Sequence, residues 1–175
     1  MSNHLLFIDN LAFAKKNEQL SGALALTDLP RLHELLHHFS EVSQSNSIPA
    51  GSISYQLQGK TDVAGQSLLH LSFIANLTTT CQRCLNDMPL KLSLNFNYLI
   101  GDINDADLTA AEIDSDDDLD VQQASQRMNI AALIEDEIIM ALPIAPMHEV
   151  VCGEVVTQSG EKPNPFAVLK GIIKS

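Results

Sequence analysis

Apolar side chains occupy every second position from Leu69 to Leu77 and again from Leu90 to Tyr98, and the interval between the two runs holds Cys81-Gln82-Arg83-Cys84. Period-two patterning belongs to a strand with one face buried and the other in water. The stretch is therefore constrained to be a β-hairpin whose turn carries two cysteines. Leu69, Leu71, Phe73, Ala75 and Leu77 share one face of a strand over Leu68–Thr80, and Leu90, Leu92, Leu94, Phe96 and Tyr98 share one face of a strand over Leu90–Ile100. Ser52–Gln58, entered through the Pro49-Ala50-Gly51 turn, is the preceding strand of the same meander. Asn3–Ile8 and Gln19–Leu26 are further candidate strands.

Helical periodicity lies on both sides of the meander. Leu32, Leu35, Leu36 and Phe39 recur at i, i+3, i+4 and i+7, with Pro30 in the first turn and Asp28 as the expected N-cap. Asn129 is placed to cap a second helix that runs through Leu142 and stops at Pro143 and Pro146. On that helix Ile130, Leu133, Ile134, Ile138 and Ala141 share a face. Glu137 falls inside it, while Glu135 and Asp136 point away. A last short helix follows from Asn164 and Pro165, with Phe166, Leu169 and Ile173 aligned.

From Asp102 to Asp120 the chain carries nine of its 22 acidic residues and no Lys or Arg, so charge repulsion predicts a mobile loop. Asp114, Asp116 and Asp118 resemble the start of a calcium loop, but Leu119 replaces the required Gly and Ser125 the closing Glu. The fold class expected is α+β: an antiparallel β meander or partly closed barrel packed by a few helices. It forms one domain over residues 1–175, with a mobile acidic loop at 102–120 and a C-terminal docking segment at 161–175.

A net charge of −12 disfavours nonspecific adhesion to nucleic acid or anionic membranes, since phosphate binding rests on clustered Lys and Arg. No stretch approaches the roughly 18 apolar residues of a membrane span, and Met1 to Asn10 lacks a basic n-region, so a cytoplasmic protein is expected. Three cysteines are too few for a disulfide framework. A small-molecule substrate is not expected, because no nucleophile elbow, phosphate loop or His-Glu-x-x-His helix is present.

Cys81 and Cys84 offer two thiolates at the close range that a tetrahedral zinc ion needs, and His148 with Cys152 completes four ligands if the Pro143 to Cys152 loop folds over the hairpin turn. The other reading of the cysteines is small buried residues in a tight turn. Redox catalysis is disfavoured: a reactive Cys-x-x-Cys opens a helix, and here a strand follows. Arg83 is a candidate to bridge to Glu137 as a structural pair, or to touch a phosphate. Basic and aromatic residues concentrate only in the tail, which makes Lys162, Asn164, Phe166 and Lys170, with Arg83, the candidates for contacting RNA or a protein partner.

The Cys81-Gln82-Arg83-Cys84 turn, the run Glu135 to Pro143 followed by Pro146 and His148, and the run Lys162-Pro163-Asn164-Pro165-Phe166-Ala167-Val168-Leu169 come in an order that resembles the YceD family, the large ribosomal RNA subunit accumulation proteins. The resemblance implies a role in synthesis, processing or stability of 23S ribosomal RNA, without an established catalytic activity. Some relatives carry more cysteines after the Pro-rich segment, where this chain has only Cys152. Given the acidic charge, the expected partner is a precursor ribosomal RNA held by a local patch, or a basic ribosomal protein or processing factor. The competing class is a metal-dependent nuclease acting on precursor RNA, with magnesium held by Asp116 and Asp118.

Overall fold

The computed structural model describes residues 7–42, 51–101 and 119–152. The acidic segment 102–118 and the tail 161–175, with Asp116, Asp118, Lys162, Asn164, Phe166 and Lys170, lie outside the described residues. So does the start of the Asn3–Ile8 strand.

In chain order the elements are β1 (Phe7–Ile8), α1 (Asn10–Lys15), β2 (Gln19–Ala25), a 3-10 turn (Leu26–Asp28) and α2 (Pro30–Val42), then β3 (Gly51–Thr61), β4 (Ser67–Thr80), β5 (Asp87–Gly101), β6 (Leu119–Gln123), β7 (Met128–Asn129) and α3 (Ile130–Ala141). The protein is α+β. The main sheet has the order β2-β3-β4-β5-β6 and is open, so it is not a closed barrel, and β1 with β7 forms a separate small ladder. β2 to β5 is an antiparallel meander. β6 joins β5 in parallel, with Asn97 opposite Leu119 and Gly101 opposite Gln123. Leu119 and Asp120, expected in the loop, thus open a strand.

Alternation settles which face is buried. Ile53, Tyr55 and Leu57 of β3 and Leu69, Leu71, Phe73, Ala75 and Leu77 of β4 form a single core with Phe13, Leu32, Leu36, Ile130, Ile134 and Ile138 from the helices. The opposite face of β3, β4 and β5 exposes Ser52, Ser54, Gln56, Asn76, Ser93 and Asn95 to water. Gly59 lets α1 lie directly on β3: a Cβ there would come within 2.6 Å of the Phe13 carbonyl oxygen and 2.7 Å of Ala14 Cα. Asn10, fully buried, ties the start of α1 to the end of β6 and the turn after it. Its Nδ2 donates to the Gln123 carbonyl at 2.9 Å, and its Oδ1 accepts from the Ser125 N–H at 2.8 Å.

Two carboxylates differ from the sequence expectation. The buried acid of α3 is Glu135, at 4% exposure, while Glu137 is only half-buried. α3 packs against α2 as well as the sheet, so its buried face turns toward Ala131 and Glu135 and leaves Glu137 at the margin. Glu135 also takes the capping role expected of Asp28. Its Oε1 accepts from the N–H groups of Arg31 (2.7 Å) and Leu32 (3.0 Å), and its Oε2 meets Arg31 Nε at 2.9 Å. Asp28 instead accepts from Ala25 N–H at 2.9 Å, within the 3-10 turn. A carboxylate at a helix N-terminus meets unsatisfied N–H groups and the positive end of the helix dipole, and this one staples the two helices together.

Candidate metal centre

The β4–β5 hairpin brings Thr80 opposite Asp87, leaving residues 81 to 86 as the turn. Cys81 N–H donates to Asn86 O and Leu85 N–H to Cys81 O, each at 2.9 Å, and Leu85 sits at φ 58, a left-handed conformation that reverses the chain. This tight loop aims both cysteines to one side. Asn129, whose side chain accepts from Ala131 and Ala132 N–H, fixes the start of α3. At the other end Leu142 turns to extended backbone, and the chain then returns across the hairpin turn through Pro143 and Pro146. There the Gln82 N–H donates to Pro146 O at 2.8 Å.

The result joins residues about seventy positions apart. Cys81 Sγ lies 3.6 Å from Cys152 Sγ, Cys84 Sγ 3.5 Å from His148 Nδ1, and His148 Nδ1 3.2 Å from Cys152 Sγ. All four ligand atoms fall within 4.8 Å of one another. Tetrahedral zinc, with Zn–S of about 2.3 Å and Zn–N of about 2.0–2.1 Å, has S···S edges of about 3.8 Å and S···N edges of about 3.6 Å. The three short separations match those edges to within a few tenths of an ångström, and closing the longest by about 1 Å completes the tetrahedron. Cys81 is buried, while the other three are half-buried.

Arg83 does not bridge to Glu137. Its Nε donates to Cys152 Sγ at 3.2 Å, and its Nη2 donates to the carbonyl oxygens of His148 (3.1 Å) and Val150 (2.6 Å). Glu137 accepts instead from the Tyr98 hydroxyl at 2.8 Å, and burial together with that carboxylate pushes the phenol up, so it stays a donor. Arg83 lies in the turn and Glu137 on α3, and each meets its need with nearer groups. Arg83 thus clamps the returning loop onto the turn and sets a positive charge beside the thiols.

The electrostatics suit thiolates. Burial opposes the charge on Cys81, but N–H groups of Cys84, His148 and Arg83 and a bond with Cys152 outweigh it and bring the thiol down to about 5. Cys152 is likewise penalised by burial yet lowered on balance by Arg83, Cys84 and His148. Cys84 accepts from the Asn86 backbone, which lowers it, but burial and the neighbouring sulfurs raise it on balance. His148 is raised by its hydrogen bonds to Cys152 and Cys81. Three sulfurs and one imidazole held this closely, with N–H donors and a guanidinium around them, make a donor set that zinc prefers. The four sequence-expected residues are brought together. What the sequence did not reveal is Arg83 as their buttress; its place between the two cysteines was the only signal.

These features define an α+β protein with an open, mainly antiparallel sheet and a hairpin turn closed by a Cys3His cluster. The chain belongs to the YceD family: the profile described as "Large ribosomal RNA subunit accumulation protein YceD" matches residues 69–172, a span that holds the hairpin, the cluster and α3. It is similar to the large ribosomal RNA subunit accumulation protein YceD of Haemophilus influenzae, with 31% identity over 108 residues, 53% of this chain and 57% of that protein. The match thus covers a little over half the length of that curated relative. No solved structure matches. Among the described residues no helix is long and apolar enough to cross a membrane.

Proposed function

We propose that this protein is a cytoplasmic, non-enzymatic factor for the accumulation of 23S ribosomal RNA, acting in large-subunit biogenesis by binding precursor RNA or, in view of its charge, a basic ribosomal protein or processing factor. The observation that carries the reading is the family match over residues 69–172, which spans the Cys3His cluster and most of the tail that follows it. Zinc is the metal the donor set fits, with Cys81, Cys84, His148 and Cys152 as its ligands. Bound there, it would act as a covalent-like clasp between the hairpin turn and the 143–152 loop. Four protein ligands leave no open position for water or substrate, which is the arrangement of structural rather than catalytic zinc.

The partner surface in this reading is the clasped corner and the tail beyond it, with Arg83, Lys162, Asn164, Phe166 and Lys170. A −12 chain is repelled by RNA at long range and attracted to the basic extensions of ribosomal proteins, so encounter with such a protein is fast and weakens with salt. Crosslinked pull-down in low salt, followed by sequencing of RNA and mass spectrometry of protein, is the test. Recovery of 23S precursors or large-subunit proteins is the expected result, with a drop for Cys84→Ser. Recovery of neither, or magnesium-dependent cleavage of precursor RNA by the purified protein, would sink the proposal.

A further inference from the structure

Large apolar side chains left in water gather on one stretch of the described chain. Met140, Ile144, Met147, Val150 and Val151 are all exposed there, Ile144 completely, and Leu85 is exposed in the adjoining turn. Where this stretch passes the start of β5 it forms an open groove of about 800 Å³, with Met88, Pro89 and Leu90 on one wall and Pro146, Met147 and Val150 on the other. Met88, Leu90, Met147 and Val150 with the prolines give the groove a mainly apolar lining, and apolar side chains gathered in a groove mark a docking surface more than singly scattered ones do. Glu149 lies on its lining, at the other side from Lys91 of β5.

The chain itself supplies a segment of matching chemistry at the right place. It leaves Cys152 beside the groove and continues to Ser175, and from Lys162 onward it holds Lys162, Lys170 and Lys174 with no acidic residue, although the whole chain stands at −12. Phe166, Leu169 and Ile173 recur at i, i+3 and i+7, one apolar face of a helix. The residues between Cys152 and Phe166 reach roughly 40 Å when extended, ample to fold back. Tethering also gives the segment an effective concentration on the order of millimolar, so even weak complementarity suffices.

We propose that this groove is the docking site of the chain's own C-terminal segment, residues 161–175, with Phe166, Leu169 and Ile173 against its apolar walls and the lysines toward Glu149. The inference goes beyond the ribosomal reading and does not depend on it. If both hold, Phe166 serves the partner as the anchor of a segment whose Lys162, Asn164 and Lys170 remain accessible.

Amide NMR on the full chain, on a chain ended after Gly160 and on full-length Phe166→Ser tests this. Resonances of Leu90, Lys91, Met147 and Val150 shift in both variants, independently of protein concentration. Synthetic peptide 161–175, added to the shortened chain at about millimolar concentration, moves them back, and Glu149→Lys weakens that rescue severalfold. Identical groove resonances in the full and shortened chains would overturn the proposal. Shifts that grow with protein concentration would also overturn it, assigning the groove to a second copy.

Discussion

Replacing Glu135 by Ala removes three hydrogen bonds at once: two from the first N–H groups of α2 and one from Arg31 Nε. Bonds to charged groups contribute about 1.5–3 kcal/mol each in favourable cases, but they are not additive. Arg31 is also half-exposed, so water re-solvates it and most of the ion-pair part is screened. What remains is the lost cap, about 0.5–2 kcal/mol, the lost dipole interaction, about 0.3–1 kcal/mol, and incomplete satisfaction of buried N–H groups. The expected loss is about 3 kcal/mol for Glu135→Ala and about half that for Glu135→Gln, which keeps an acceptor for the helix N–H groups. Glu137→Ala removes one bond from Tyr98 and costs about 1–1.5 kcal/mol. Urea titrations with unchanged slope measure all three. A double-mutant cycle between Arg83 and Glu137 should give a coupling within about 0.3 kcal/mol of zero, as for sites that do not touch. A larger loss at Glu137 than at Glu135, or a substantial Arg83–Glu137 coupling, would refute the arrangement of α3 described above.

Gly59→Ala forces a methyl into the backbone of α1 and is expected to destabilise by about 1–3 kcal/mol, read from the urea midpoint. Asn10→Ala strands the Gln123 carbonyl and Ser125 N–H, for an expected loss of about 2–3 kcal/mol in the same assay. In the metal-free protein the N–H groups around Cys81 favour its thiolate in the folded state and bring the thiol from its ordinary value near 9 down to about 5. Its contribution is therefore present above pH 9 and lost as pH falls through 5. Metal-free thermal stability should decline between these limits more steeply for the natural chain than for Cys81→Ser, and equal slopes would contradict the thiolate assignment.

Much of the fold was legible because strand and helix signals in this chain are strong. The alternation from Leu69 to Tyr98 placed both strands of the hairpin, and Asn129 and Pro143 bracketed α3. β5 begins three residues earlier than its apolar run because Asp87, Met88 and Pro89 pair with Thr80, Thr79 and Thr78, a register that side-chain pattern does not report. α1 and β6 were missed. Six residues carry too little periodicity to announce a helix, and β6 is a short strand whose place depends on parallel pairing with a distant partner. The face of α3 was misjudged by a fraction of a turn because an isolated helical wheel knows one packing surface, whereas α3 has two. The Cys3His set was legible as residue types at suitable spacing. Their meeting depended on the return of the chain through Pro143 and Pro146, and on the Gln82 and Arg83 contacts that hold it.

In the proposed centre one metal ion clasps the hairpin turn to the 143–152 loop. Native mass spectrometry with elemental analysis, on protein purified under reducing conditions without chelator, measures it directly. One zinc per chain is expected, lost in Cys84→Ser and released on acidification as the thiolates and His148 take up protons. Protein that is folded, metal-free and unable to take up zinc at neutral pH would contradict it.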